Sequence, residues 1–145
     1  MTFDLSVAFF FAAHKFVHPN GVRATFQPVE SGMHQGVVYC FVFESPPVTE
    51  TSFLIRDLKM FKHITPLRPI RQRCGLPAFH FNEIGASARD LHAIMYLDEA
   101  FDCSGLPTMA ELFPGRREDA FYGALLDERQ KMPDIWGSIV EYEGV

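Results

Sequence analysis

The chain has 145 residues and a formal net charge of −5, with 48% hydrophobic and 21% charged residues. These values lie near the globular average and exclude a disordered chain or a disulfide scaffold, and the acidic balance gives no bulk attraction to nucleic acid or an anionic membrane. Fifteen Phe against one Trp and four Tyr predict a Phe-packed core within a single domain spanning 1–145.

Residues 5–17, LSVAFFFAAHKFV, fit either a helix or a long strand. The three consecutive Phe, with Val on both sides, favour a strand buried on both faces. The apolar stretch Val7–Ala13 is seven residues long, far short of the ~20 a membrane helix needs. Asp4 stands where a signal peptide would be basic, so the expected location is cytoplasmic. The segment from His18 to Gly21 reads as a turn, because Pro19 presets φ while Asn20 and Gly21 tolerate positive φ. Residues 22–29 alternate Val22, Ala24 and Phe26 with polar neighbours, as a half-buried strand would. Residues 36–44, GVVYCFVFE, are rich in β-branched and aromatic residues and form the clearest strand pattern. The N-terminal third is therefore expected to be an antiparallel meander, ended by Pro46 and Pro47.

Residues 52–64 could be helix or strand. Four breakers, Pro66, Pro69, Gly75 and Pro77, make 65–77 irregular. A short strand is expected over 78–81. Ser87, with Asp90 three residues on, reads as a helix cap. Leu91, Ile94, Leu97 and Phe101 would then form one helical stripe, with Met95 beside it. Thr108 and Glu111 make a capping box for a short helix. A second amphipathic helix over 117–131 would turn Ala120, Phe121, Ala124 and Leu125 inward and stop at Pro133. Residues 136–144 close the chain as a strand, with Ile139 on the same face as Glu141. Strands, then helices, then a last strand imply an α+β fold: an antiparallel sheet with two or three helices on one face.

Charge is uneven along the chain. Residues 56–73 hold six basic residues (Arg56, Lys59, Lys62, Arg68, Arg71 and Arg73) against Asp57, a local +5. Residues 98–145 hold eleven acids and four bases, a local −7. Such blocks suit contact within the chain, contact between subunits, or a partner that reads a charged face. Together with the Phe excess and long strands whose edges need cover, they point to a homo-oligomer.

The chemistry-bearing residues are sparse. His14 and His18 are four apart and would share a helix face, but Pro19 disfavours helix at His18. On a strand, His14 would point to one sheet face alone. His34 precedes the third strand, and two His from adjacent strands can converge on a metal that needs a third protein ligand. His63, Ile64 and Thr65 form a single H-x-T unit where phosphoesterase chemistry needs two. Cys74 and His80 could pair as nucleophile and base, but nothing in the spacing joins them. Cys40, Cys74 and Cys103 are widely spaced, form no C-x-x-C, and read as free thiols of a reducing compartment. No Gly-rich phosphate loop and no G-x-S-x-G occur.

Several short pieces fall in the order of one family. Phe11, Ala12, Ala13 and His14 resemble an F-x-A-A-H strand. Met33, His34, Gln35 and Gly36 stand where H-G-H opens the next hairpin strand, with Gly36 replacing the second His. Asp90, Leu91 and His92, then Leu97 to Phe101, follow a D-L-K and an L-D-H-x-x-L-N motif. The segment Pro107 to Leu112 echoes P-T-x-E-x-L-A. Val140 to Gly144 echoes a terminal V-x-Y-E-T. The chain in this respect resembles the 6-pyruvoyltetrahydropterin synthase and 6-carboxytetrahydropterin synthase family over about residues 9–144, with a poor match over 45–85.

The resemblance implies the tunnelling fold, antiparallel strands backed by two helices that assemble into a ring. It implies a zinc site at His14 and His34, completed by His18. It also implies that Glu143 anchors the amidine edge of a pterin- or purine-like ring. Zinc would act as a Lewis acid, as in a lyase or synthase. Glu99 stands at the position of the family's catalytic His, so the catalytic set is incomplete and no catalytic residue is assigned. The expected function is thus a tunnelling-fold-like enzyme or ligand-binding protein for such a ring. The alternative is a non-catalytic protein-binding inhibitor or immunity protein, of the phage anti-defence kind. It would mask a surface or mimic phosphates with acids such as Asp127 and Glu128. Neither reading involves a membrane.

Overall fold

The structure, a computed structural model, describes residues 1–18, 21–29, 36–42, 66–75 and 91–143. The expectations for 30–35, 43–65 and 76–90, including the short strand at 78–81 and the cap at Ser87, lie outside the described residues. The described parts form an α+β arrangement of two small open sheets and several helices.

Helix α1 spans Leu5–Ala13 and strand β1 follows without a loop over His14–Val17. This corrects the expectation of one strand over 5–17. The Asp4 side chain caps the helix by accepting from the Ser6 amide at 3.0 Å, satisfying one of the amides a helix start leaves free. His14 has φ −126° and ψ 138°, so the chain turns extended at that residue. The helix is apolar on every side, which removes the 3.6-residue period by which helices are recognised in sequence.

Strand β2, Arg23–Pro28, pairs antiparallel with β1, matching His14 to Pro28 and Val17 to Thr25. The connection contains Gly21 at φ 71°, a conformation glycine adopts without strain. Strand β3, Val37–Phe41, does not continue this sheet. It pairs antiparallel with β4, Leu91–Tyr96, so the expected three-stranded meander is replaced by a hairpin and a separate ribbon. The stretch read as a helical stripe from Leu91 is thus a strand. Leu91, Ala93 and Met95 are half-buried while His92, Ile94 and Tyr96 are exposed, a period of two. Gly36 brings β3 against the end of α1, where any Cβ would collide with the Ala12 carbonyl oxygen.

Helix α2, Leu67–Arg71, is short. Helix α3, Met109–Leu112, starts at the expected Thr108–Glu111 capping box. Helix α4, Ala120–Lys131, is capped by Asp119. It turns Tyr122, Gly123 and Leu126 inward, while Ala120 and Ala124 are exposed, so the expected apolar face is rotated. Pro133 opens a further helix, α5, over Pro133–Trp136. The last strand shrinks from 136–144 to β5, Glu141–Tyr142, and it pairs parallel with β2. Its pairing is held by α4: the Tyr122 hydroxyl donates to the Val140 carbonyl at 2.7 Å, and Arg129 donates to the Val22 and Ile139 carbonyls at 3.1 and 2.7 Å.

The core joins α1 to α3 through Val7, Phe10, Leu112 and Phe113, with Phe26 and Tyr142 packed against them. Phe10 is 2% exposed, and its burial alone contributes about 2–3 kcal/mol. Rings follow one another from Phe10 to Phe26, Phe113 and Tyr142 at centroid distances of 5.7, 5.0 and 4.5 Å. The Phe-packed core predicted from composition is present. Arg71 of the basic block pairs with Glu118 of the acidic block, so some of the charge contrast is met within one chain. No helix among the described residues is long and apolar enough to cross a membrane.

Candidate functional site

Among the described residues, a cleft of about 740 Å³ lies between α1 and β3, lined also by residues 1–4, Gln72 and Cys74. It exists because the N-terminal segment bridges to Cys74 through Thr2, while the Thr2 hydroxyl donates to the Gln72 carbonyl at 2.6 Å. The walls are mostly apolar, with Phe3, Leu5 and Phe11 from one side and Val38, Tyr39 and Phe41 from the other. Phe3, Leu5 and Tyr39 remain 41, 52 and 57% exposed, unusual for such side chains in a packed interior. Clefts of this size and lining are typical of small-molecule sites, which run about 300–1,000 Å³.

Asp4 is the acid among the described lining residues. Its carboxyl is held below the usual carboxylate range, first by the Ser6 hydroxyl and then by the Ser6 and Val7 amides and the Arg73 charge, against an opposing effect of burial. It is ionised at neutral pH and offers a fixed acceptor. Cys40 and Cys74 also line the cleft as free thiols. Burial pushes the Cys74 thiol up, which keeps it protonated and a poor nucleophile.

Of the residues singled out from the sequence, Cys40 and Cys74 line this cleft, while His14, His18, Glu99 and Glu143 do not. His14 stacks on Phe10 at 4.2 Å, and its Nδ1 lies 2.7 Å from the Phe10 carbonyl oxygen. Donation from Nδ1 to that carbonyl leaves Nε2 as the ring acceptor, the arrangement common in metal-bound His. His18 follows β1, four residues on, with the Phe16 ring on the same strand face between the two imidazoles and 5.8 Å from His18. Strand rise separates the two His by roughly 13 Å. His14 and His18 therefore do not share an ion. His34 lies outside the described residues, and among the described residues no three His, Cys, Asp or Glu gather as a metal site.

Glu143 continues β5 beside β2, its amide donating to the Ala24 carbonyl at 2.9 Å. Its carboxylate lies 3.7 Å from Arg23, with both side chains largely exposed. The register sets Glu143 near the Val17 end of β1, at the opposite end from His14. Glu99 is in an exposed turn.

Sequence reasoning missed the cleft because it took α1 for a strand. The signal was available: Asp4 followed by Leu5 and Ser6 ahead of an apolar run is a cap pattern. Its other wall, β3, was read correctly, but no residue pattern brings residues 72–74 beside residues 1–4. No protein family, curated protein or solved structure matches this chain.

Proposed function

We propose that the chain is a ligand-binding protein for a flat, pterin- or purine-like small molecule, held in the cleft between α1 and β3. The observation that carries this reading is an apolar, ring-lined cleft of ligand size with an ionised carboxylate, Asp4, on its wall. A fused heterocycle would place its faces against Phe11 and Val38. Adjacent ring N–H donors would pair with Asp4, a charge-assisted contact. This role moves from Glu143, which does not line the cleft, to Asp4, whose Oδ1 caps α1 and whose Oδ2 lies 3.6 Å from Arg73. Calorimetric titration with pterin and guanine tests it. Binding is expected, and Ala8→Trp, which fills the cleft, should abolish it. Asp4→Asn should weaken it about tenfold. Failure of both rings to bind, or binding unchanged by Ala8→Trp, contradicts the reading.

The tunnelling fold and zinc belong to the same proposal. They are supported by His14 opening a strand that hairpins with β2, and by its Nδ1 contact, which leaves Nε2 as an acceptor. The zinc site would be His14 and His34 with a third ligand other than His18. Metal analysis of untagged protein checks it: zinc is expected in the wild type and lost in His14→Ala, and metal-free wild type counts against it.

A second reading, a surface that binds protein, is favoured by the outer face of the ribbon. Tyr39, Ile94 and Tyr96 stand there 57, 42 and 64% exposed. A second copy of the chain would cover this face and give the homo-oligomer. Light scattering decides: a mass of 16.5 kDa at every concentration contradicts it.

A further inference from the structure

Arg68, in α2, packs among aromatic rings. Its Cζ stands 3.3 Å from the Tyr122 ring centroid, 4.4 Å from that of Tyr142 and 5.7 Å from that of Phe113. The three rings stabilise the charge through their faces without supplying an oxygen acceptor. The Tyr122 hydroxyl is already engaged, donating to the Val140 carbonyl and accepting from the Tyr142 amide. Asp119, 1% exposed, is committed to backbone: Oδ2 accepts from the Leu67 and Arg68 amides at 2.9 and 3.3 Å, and Oδ1 from the Tyr122 amide at 3.0 Å.

What remains is specific. Arg68 Nε and Nη2 are both buried, and neither has a hydrogen-bond partner. These two nitrogens form one edge of the guanidinium, the edge that reaches a carboxylate or phosphate with two parallel N–H bonds. Buried polar groups in folded proteins are nearly always paired, and an unpaired charged donor is unfavourable. A vacant bidentate edge inside an aromatic box has the chemistry of an oxoanion site.

We propose that Arg68 binds an oxoanion: the carboxylate or phosphate group of a small molecule pairs with its Nε–Nη2 edge within the box of Phe113, Tyr122 and Tyr142. Because both nitrogens are covered, binding is coupled to a local side-chain movement that uncovers this edge while Arg68 stays against the rings. The inference is independent of the cleft between α1 and β3.

The test is NMR of the Arg68 Nε–H in the full chain, titrated with inorganic phosphate and separately with acetate, chloride holding ionic strength constant. A saturable downfield shift of this proton is expected. A response to phosphate alone identifies a phosphoryl ligand, and a response to acetate as well identifies a carboxylate. By thermal shift, Arg68→Lys should bind the anion about tenfold more weakly, because lysine keeps the charge and loses the planar edge. Arg71→Lys should bind as the wild type does. An Arg68 proton that neither anion moves overturns the proposal, including the case where it is protected from exchange by an internal acid. The same saturable thermal shift in Arg68→Lys also overturns it.

Discussion

Beneath α1, Phe10 is 2% exposed and lies 5.7 Å from Phe26 and 6.4 Å from Phe113, ring on ring. In the β3–β4 ribbon, residues as apolar as Tyr39, Ile94 and Tyr96 stay 42–64% exposed. The two regions meet at Gly36, where β3 touches the end of α1, and the cleft opens beside that contact. The cluster takes its order from rings locked by neighbours on several elements. The ribbon has an inner row that is half-buried except for the buried Val38, and an exposed outer row. Stability should therefore concentrate in the first region, leaving the second free to bind.

The contrast can be broken from the core side first. Phe10→Ala should destabilise the chain by about 4 kcal/mol in denaturant unfolding, the loss expected for a ring in a tight cluster. A loss close to that of a surface substitution would mean the cluster is not the core. Asp119→Ala comes next, at about 3 kcal/mol, because it removes a helix cap and strands buried amides of α2 and α4 together. An unchanged unfolding midpoint would contradict the role of Asp119 as the tie between the two helices.

A smaller effect is expected from pH at Asp4. Its folded pKa lies below the unfolded value, so its contribution is complete above the unfolded pKa and lost as pH falls through the folded one. Asp4→Asn should flatten the acid limb of the stability profile and leave its slope near neutrality unchanged. A slope altered at neutral pH would point to another group. The smallest effect belongs to the ribbon. Tyr96→Thr should change monomer stability by no more than about 0.5 kcal/mol, since the ring is 64% exposed. A large loss there would show that the outer face is covered.

Legibility in the sequence followed local chemistry. The Thr108–Glu111 box, the Gly21 turn and the strands β2 and β3 were readable because cap, turn and alternation each act within a few residues. Helix α1 was not, since a segment apolar on all sides has no period and three adjacent Phe resemble a buried strand. Strand β4 was misread because Leu91, Ile94 and Leu97 fit a helical stripe as well as the alternation does, and the pairing with β3 decides between them across more than 50 residues of chain. The candidate site was less legible than the fold. His14 and Glu143 suggested a site through motif likeness, yet the strand register holds them at opposite ends of the β1–β2 hairpin. Asp4, Tyr39 and Gln72 line the cleft from three distant stretches, and Arg68, with its buried Nε and Nη2, gave no signal beyond its place in a basic run.

The account's central claim is that the cleft between α1 and β3 holds a flat ring ligand. An amide NMR titration of the full chain with pterin tests it most directly. The account predicts saturable shifts at Asp4, Ala8, Phe11 and Val38–Cys40, with Lys15, Phe16 and Glu143 unmoved. Shifts centred on His14 or Glu143 in place of the cleft, or no saturable shift at all, would contradict it.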